Sequence, residues 1–219
     1  MNAEEFSAAY EPTDSDAPFR RENSYAIAVD VDGTTMAKAD SMVAYTGDLT
    51  FSGRASVEGG VTGYLKDAVT GEGTPIMEIE GRGTAHLADT GKKVQLLDLD
   101  AGDRITVNGE DILAFESDLH YEITTIDSLS GALAGGLTNV EIEGPGLLAL
   151  TTHCDPIVLE PPVTTDPKAT VAWTTAESPS IGTNKKLEIG QTSGEAIQMK
   201  FDGEDGFVVV QPYEEHGGA

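Results

Sequence analysis

From Tyr25 onward the chain runs in short stretches where apolar and polar residues alternate, and glycine or aspartate closes most of them. Alternation with a period of two places successive side chains on opposite faces of an extended backbone, so each stretch predicts a half-buried β-strand. Tyr25-Ala26-Ile27-Ala28-Val29 is the first. One phrase then occurs three times: an alternating strand, a glycine-marked tight turn and a second strand. Its copies are Pro75-Ile76-Met77-Glu78-Ile79-Glu80-Gly81-Arg82-Gly83-Thr84-Ala85-His86-Leu87, Thr138-Asn139-Val140-Glu141-Ile142-Glu143-Gly144-Pro145-Gly146-Leu147-Leu148-Ala149-Leu150 and Ile197-Gln198-Met199-Lys200-Phe201-Asp202-Gly203-Glu204-Asp205-Gly206-Phe207-Val208-Val209-Val210. A spacing of roughly 60 residues between copies predicts one β-hairpin module used repeatedly.

A second element recurs between the copies. Leu96-Leu97-Asp98-Leu99 leads to Ile105-Thr106-Val107 and Ile112-Leu113-Ala114-Phe115-Glu116, while Pro156-Ile157-Val158-Leu159 leads through Pro161-Pro162 to Thr170-Val171-Ala172-Trp173-Thr174. Units of this kind cannot cover their apolar faces alone and are expected to share one core. The fold expected is all-β, a pseudo-threefold repeat of antiparallel strand groups and hairpins. One or two short helices are expected, at residues 59–70, where Val61, Leu65, Ala68 and Val69 keep helical spacing, and at Ser128 to Gly136. Residues 1–21 read as a mobile acidic leader with order starting near Tyr25, residues 22–215 as a single β domain with three related repeats, and residues 216–219 as a tail.

Charge changes the picture most. Thirty-eight acids against 13 Lys plus Arg give a formal charge of -25, spread along the chain and not gathered in one block. Self-repulsion on that scale weakens a compact state at low salt, whereas at molar salt a Debye length of about 3 Å screens it. A halophilic cytoplasm with an acid-covered protein surface is the expectation. Nucleic acid is excluded as a partner, because phosphate contacts need clustered cations and only Arg20-Arg21, Lys92-Lys93 and Lys185-Lys186 are paired. Cys154 is the only cysteine, so no disulfide forms within the chain. Met1-Asn2-Ala3-Glu4-Glu5 does not open a secretory signal, and no stretch reaches the ~18 apolar residues of a membrane span. A cytoplasmic location is expected, and direct membrane binding is not.

Candidate chemistry is sparse. Ala28-Val29-Asp30-Val31-Asp32-Gly33-Thr34-Thr35 looks like the nucleophile motif of haloacid-dehalogenase-type phosphatases, in which the first aspartate attacks phosphorus and the second transfers the proton beside Mg²⁺. That chemistry needs a parallel strand followed by a helix, while Met42 to Phe51 continue as strand; the plainer reading is an Asp-Gly turn. His153-Cys154-Asp155 could supply a thiol or metal ligands, but neighbours on a strand diverge, so a strand end is expected. His86, His120 and His216 lack a ligand spacing. Asp98-Leu99-Asp100-Ala101-Gly102-Asp103 and Asp202-Gly203-Glu204-Asp205-Gly206 resemble calcium loops only superficially and are expected to be turns. The glycines from Gly131 to Gly136 lack the ending of a phosphate loop. No catalytic, cofactor-binding or metal residue is assigned, and no cofactor is expected.

Taken together, Gly33-Thr34-Thr35-Met36-Ala37-Lys38, Ser41-Met42-Val43-Ala44-Tyr45-Thr46-Gly47-Asp48, Ala68-Val69-Thr70-Gly71-Glu72-Gly73, Asn108-Gly109, Gly135-Gly136-Leu137, Thr151-Thr152-His153 and Val208-Val209-Val210-Gln211-Pro212-Tyr213-Glu214-Glu215 resemble the family of altered inheritance of mitochondria protein twenty-four. The likeness spans about residues 25–215. It implies a β-sandwich or β-prism fold similar to the tryptophan RNA-binding attenuation protein, three pseudo-repeats and homotrimers. It implies no established enzymatic activity, and the mitochondrial relatives are linked to inner-membrane organisation. The functional expectation is a non-enzymatic, soluble oligomeric scaffold with an unknown protein partner, Pro145, Trp173 and Tyr213 being interface candidates or core residues. A small-molecule or nucleotide-binding module using a cleft between repeats is the alternative, and the phosphatase a further one.

Overall fold

The computed structural model describes residues 1–53, 76–125, 138–175, 178–183 and 197–214. Strand follows strand through three groups: β1 (Phe19–Asn23), β2 (Ala26–Lys38), β3 (Met42–Gly53) and β4 (Ile76–Ala88); β5 (Lys93–Leu99), β6 (Arg104–Asn108), β7 (Ile112–Glu116), β8 (His120–Thr125), β9 (Thr138–Glu143) and β10 (Gly146–Thr152); β11 (Ile157–Leu159), β12 (Val163–Thr165), β13 (Thr170–Trp173), β14 (Ser180–Thr183), β15 (Ile197–Phe201) and β16 (Val208–Val210). Among the described residues the one α-helix is α1 (Ala3–Ala9), closed by an Asn2/Glu5 capping box and exposed along its length. The two helices expected at residues 59–70 and 128–136 lie outside the described residues, as do Lys185, Lys186 and His216. Strand pairing begins at Phe19, earlier than the expected Tyr25, because β1 aligns Phe19 with Val29 and Arg21 with Ile27.

Every strand pair is antiparallel, in sheets ordered β3-β4-β2-β7-β10-β5 with β1 on β2, β11-β16-β13-β6-β9-β8, and β12-β15-β14. The all-β expectation holds, but the hairpins do not. In the second and third copies of the repeated phrase the glycine separates strands that belong to different sheets: β9 and β10 never pair, nor do β15 and β16. In the first copy no turn exists, because β4 runs unbroken through Gly81-Arg82-Gly83. The recurring glycine therefore marks a change of sheet, or a point along one long strand, and not a reversal of the chain. Likewise Asp32-Gly33 is no turn; it lies inside β2, where Gly33 faces Gly81.

The pairings expose a stricter repeat than the sequence did. β10 pairs with β5 and β7, and β9 with β6 and β8; likewise β16 pairs with β11 and β13, and β15 with β12 and β14. The first group follows the same plan with strands fused in twos. The early half of β2, the early half of β3 and the late half of β4 correspond to β5, β7 and β10, and the remaining halves correspond to β6, β8 and β9. Glycine permits the fusion. Gly81 has φ +128°, and a Cβ there would stand 2.1 Å from the Asp48 carbonyl oxygen; at Gly47, φ +87°, it would meet the Arg82 carbonyl oxygen at 2.5 Å.

The expected single shared core is replaced by three clusters that do not follow the groups strictly: the first also takes in Val94, Leu113, Ala114 and Ala149 of the second group, and the second takes in Met36 and Ile76 of the first and Val171, Ala172 and Val209 of the third. Met77, Ile79 and Ala85 lie in the first, Val140, Ile142 and Leu148 in the second, and Met199, Phe201 and Val208 in the third. These are equivalent positions of the three copies, so the alternation that predicted the strands also supplies each cluster.

Candidate functional site

Asp30 and Asp32 sit two apart on β2 and so share one face of an antiparallel sheet, where Asp30 accepts from Arg20 and from Thr84 Oγ1 at 2.7 Å. Arg82 holds Asp32 at 3.0 Å through Nε and 2.8 Å through Nη2, both side chains being exposed. The Arg20 hydrogen bond, with help from Thr84, keeps the Asp30 carboxyl below its usual range. A phosphatase nucleophile needs a parallel strand end beside a helix; here both carboxylates are braced mid-strand by arginines. The motif lacks its structural context.

His153, Cys154 and Asp155 diverge as expected. His153 stacks on Tyr213 with ring centroids 3.9 Å apart, Cys154 is exposed with φ 63°, and Asp155 pairs with Lys93 Nζ at 2.7 Å. That hydrogen bond raises the Lys93 value. His86 lies on β4 opposite Ala28, and His120 on β8 opposite Glu143. Among the described residues no three His, Cys, Asp or Glu side chains gather as a metal site. Asp98 and Leu99 end β5, and Asp100 to Asp103 form the expected turn, closed by Asp103 N–H to the Asp100 carbonyl at 3.0 Å and Asp100 N–H to Asp103 Oδ2 at 2.9 Å. Asp202 to Gly206 carry the chain from β15 to β16, between sheets. Of the three interface candidates, Trp173 is buried near Phe201, while Pro145 and Tyr213 are exposed.

No motif or spacing announces the strongest polar cluster. Where the first and second groups meet, Lys38 Nζ donates to Asp89 Oδ2 at 2.9 Å and to the Glu110 carbonyl at 2.8 Å; Lys92 Nζ donates to Asp111 Oδ1 at 2.9 Å; and Thr151 Oγ1 donates to Asp89 Oδ2 at 3.1 Å. Lys92, Asp89 and Asp111 are all buried. Burial pushes the Asp89 carboxyl up, but the charge and hydrogen bond of Lys38, with Lys92 and Thr90, win and leave it below the ordinary value. The contributing residues are scattered from position 38 to 151, so no local spacing could have announced them. Two lysines matched by two buried aspartates act as a polar pin between groups; nothing about them presents a reactive group to solvent.

A cleft of about 740 Å³ opens between the β5–β6 turn and the end of β13, with Leu97, Ile105, Trp173 and Phe207 as apolar wall and Asp98, Asp103 and Glu141 among its polar residues. Arg104 at its edge is engaged by Glu141 at 3.2 Å and Glu143 at 2.8 Å, which raises its pKa above the ordinary value.

A sequence profile described as mitochondrial biogenesis AIM24 matches residues 20–213. The chain belongs to the mitochondrial biogenesis AIM24 family. A structural-genomics crystal structure of a Streptococcus pyogenes protein has the same fold, with TM-score 0.67 and 22% identity over 90% of this chain and 92% of that one. A search of curated proteins returns no match. No helix among the described residues is long and apolar enough to cross a membrane.

Proposed function

We propose that this AIM24-family chain is a non-enzymatic oligomeric scaffold, a homotrimer in the first instance, that offers its sheet edges to protein partners. The observation that carries this reading is the apolar character of those edges: Met42, Val43 and Tyr45 on β3, Ile123 on β8, and Ile157 and Val158 on β11 are all exposed. Monomeric proteins usually protect edge strands with charge, proline or a covering loop, and edges left bare and apolar mark interaction sites. The dispersed chemistry of Asp30, Asp32, His153 and Cys154 agrees with a role that needs no reaction centre. Light scattering after gel filtration at molar salt tests it, with a mass near three times 23.0 kDa expected. A monomeric mass at every concentration sinks the proposal.

The second reading is ligand binding in the cleft lined by Trp173 and Phe207, whose volume lies within the range of small-molecule sites. A thermal-shift screen of nucleotides, amino acids and metals at high salt tests it, and the absence of any reproducible shift counts against it. For the phosphatase reading, Asp30→Asn is expected to leave the purified protein's behaviour toward phosphate esters unchanged.

A further inference from the structure

The three groups carry the same strand irregularity at the same place. Pairing to the neighbouring strand skips one residue between Met42 and Ala44, between Ile112 and Ala114, and between Thr170 and Ala172. The three stretches are also alike in sequence: Met42-Val43-Ala44-Tyr45, Ile112-Leu113-Ala114-Phe115 and Thr170-Val171-Ala172-Trp173 each place an aliphatic residue in the bulge, an alanine after it and an aromatic next.

Their surroundings differ. β7 and β13 each have a second partner from the preceding group: Phe115 aligns with Met36 and Ala114 with Ala37 on β2, while Trp173 aligns with Thr106 and Ala172 with Val107 on β6. Leu113, Ala114, Val171 and Ala172 are accordingly inaccessible to solvent. β3, the third member of the set, ends the first sheet, leaving Val43 63% and Tyr45 48% exposed. At the other extreme of the chain, β12 is the counterpart of the late half of β2 and of β6, and it ends the third sheet with β15 as its one partner among the described residues. One bare edge thus has the sequence of a strand that is covered twice elsewhere, and the other has the place of the strand that covers it.

We propose that β3 of one molecule pairs antiparallel with β12 of a second copy of this chain, continuing between molecules the junction seen twice within one. The equivalences fix the alignment. Met77, Val140 and Met199 are matching positions of the repeated phrase and face Ala37, Val107 and Thr165, respectively. Ala44 therefore meets Thr165 of the second copy, and Tyr45 meets its Thr164. Neither Met42 to Gly47 nor Val163 to Thr165 contains a charge, so this contact avoids the repulsion that a formal charge of -25 imposes elsewhere on the surface. Within one molecule the two edges do not pair, β3 belonging to the first sheet and β12 to the third. A head-to-tail contact of this type closes into a ring or runs on as a filament. The inference rests on the oligomeric reading and specifies its interface.

The test uses the full chain with Cys154→Ser, carrying Tyr45→Cys and Thr164→Cys together and separately, treated with a short bismaleimide at molar salt. The double variant is expected to give a ladder of covalent multimers, and neither single variant should. A crosslinked monomer would place the closure inside one chain and overturn the proposal, as would an oligomeric mass without β3–β12 crosslinks, which leaves the scaffold reading standing. A monomeric mass overturns both. Val43→Lys, at a position exposed in the single chain, should keep the circular dichroism of the parent and weaken assembly at least tenfold; unchanged assembly also counts against the proposal.

Discussion

At Asp89 the balance between burial and pairing decides what a single substitution does. Its carboxylate is held by Lys38 at 2.9 Å and Thr151 at 3.1 Å, so Asp89→Asn leaves a largely buried ammonium without its counter-charge. A loss of about 3 kcal/mol is expected in a denaturant melt at molar salt, as for other broken buried pairs. The sign with pH follows from the lowered value of Asp89. Its contribution is complete above the unfolded carboxyl value of about 3.9 and is lost as pH falls through the lower folded value, so the gap between parent and variant should close in acid. A gap that widens below that pH would contradict the assignment. Glycine offers a second contrast: Gly81→Ala collides with Asp48 backbone, whereas Gly33→Ala meets nothing within 4 Å and bears only the strain of φ +120°. Gly33→Ala should cost about 1–2 kcal/mol and Gly81→Ala distinctly more, both read from melting curves.

At the scale of elements, Leu113→Ala should cost about 2–5 kcal/mol in a denaturant melt because the bulge side chain is fully enclosed, and Val43→Ala much less. Equal losses would mean that the two bulges are covered alike in the isolated chain. Strand identity was legible from alternation alone, since Ile76-Met77-Glu78-Ile79-Glu80 and Val140-Glu141-Ile142-Glu143 can bury only one face. Strand connection was not. Gly81, Gly144 and Gly203 look identical in sequence whether the next strand turns back, crosses to another sheet or simply continues, because glycine permits all three and only distant partners choose. The likeness of Met42-Val43-Ala44-Tyr45 to the two later stretches was also within reach of sequence, through its alanine-aromatic ending, although the fused strands of the first group mask the correspondence. The Lys38–Asp89–Lys92–Asp111 pin was out of reach, since its members come together only after the first two groups have docked.

For the whole molecule, charge sets the conditions under which any of this holds. Dialysis from molar to millimolar salt should lower the melting temperature and loosen the fold, as 38 acids against 13 cations lose their screening. A melting temperature indifferent to salt would remove the inference of a halophilic setting. The second group shows what the shared sheets mean for cooperativity. It lends β5, β7 and β10 to one sheet and β6, β8 and β9 to another, so it owns neither. A polypeptide cut to that stretch would carry two half-built sheets whose inner edges face water, and hydrogen exchange across the intact protein should report one concerted opening where an array of beads would give three. The period of the message is shorter than the smallest piece able to stand by itself.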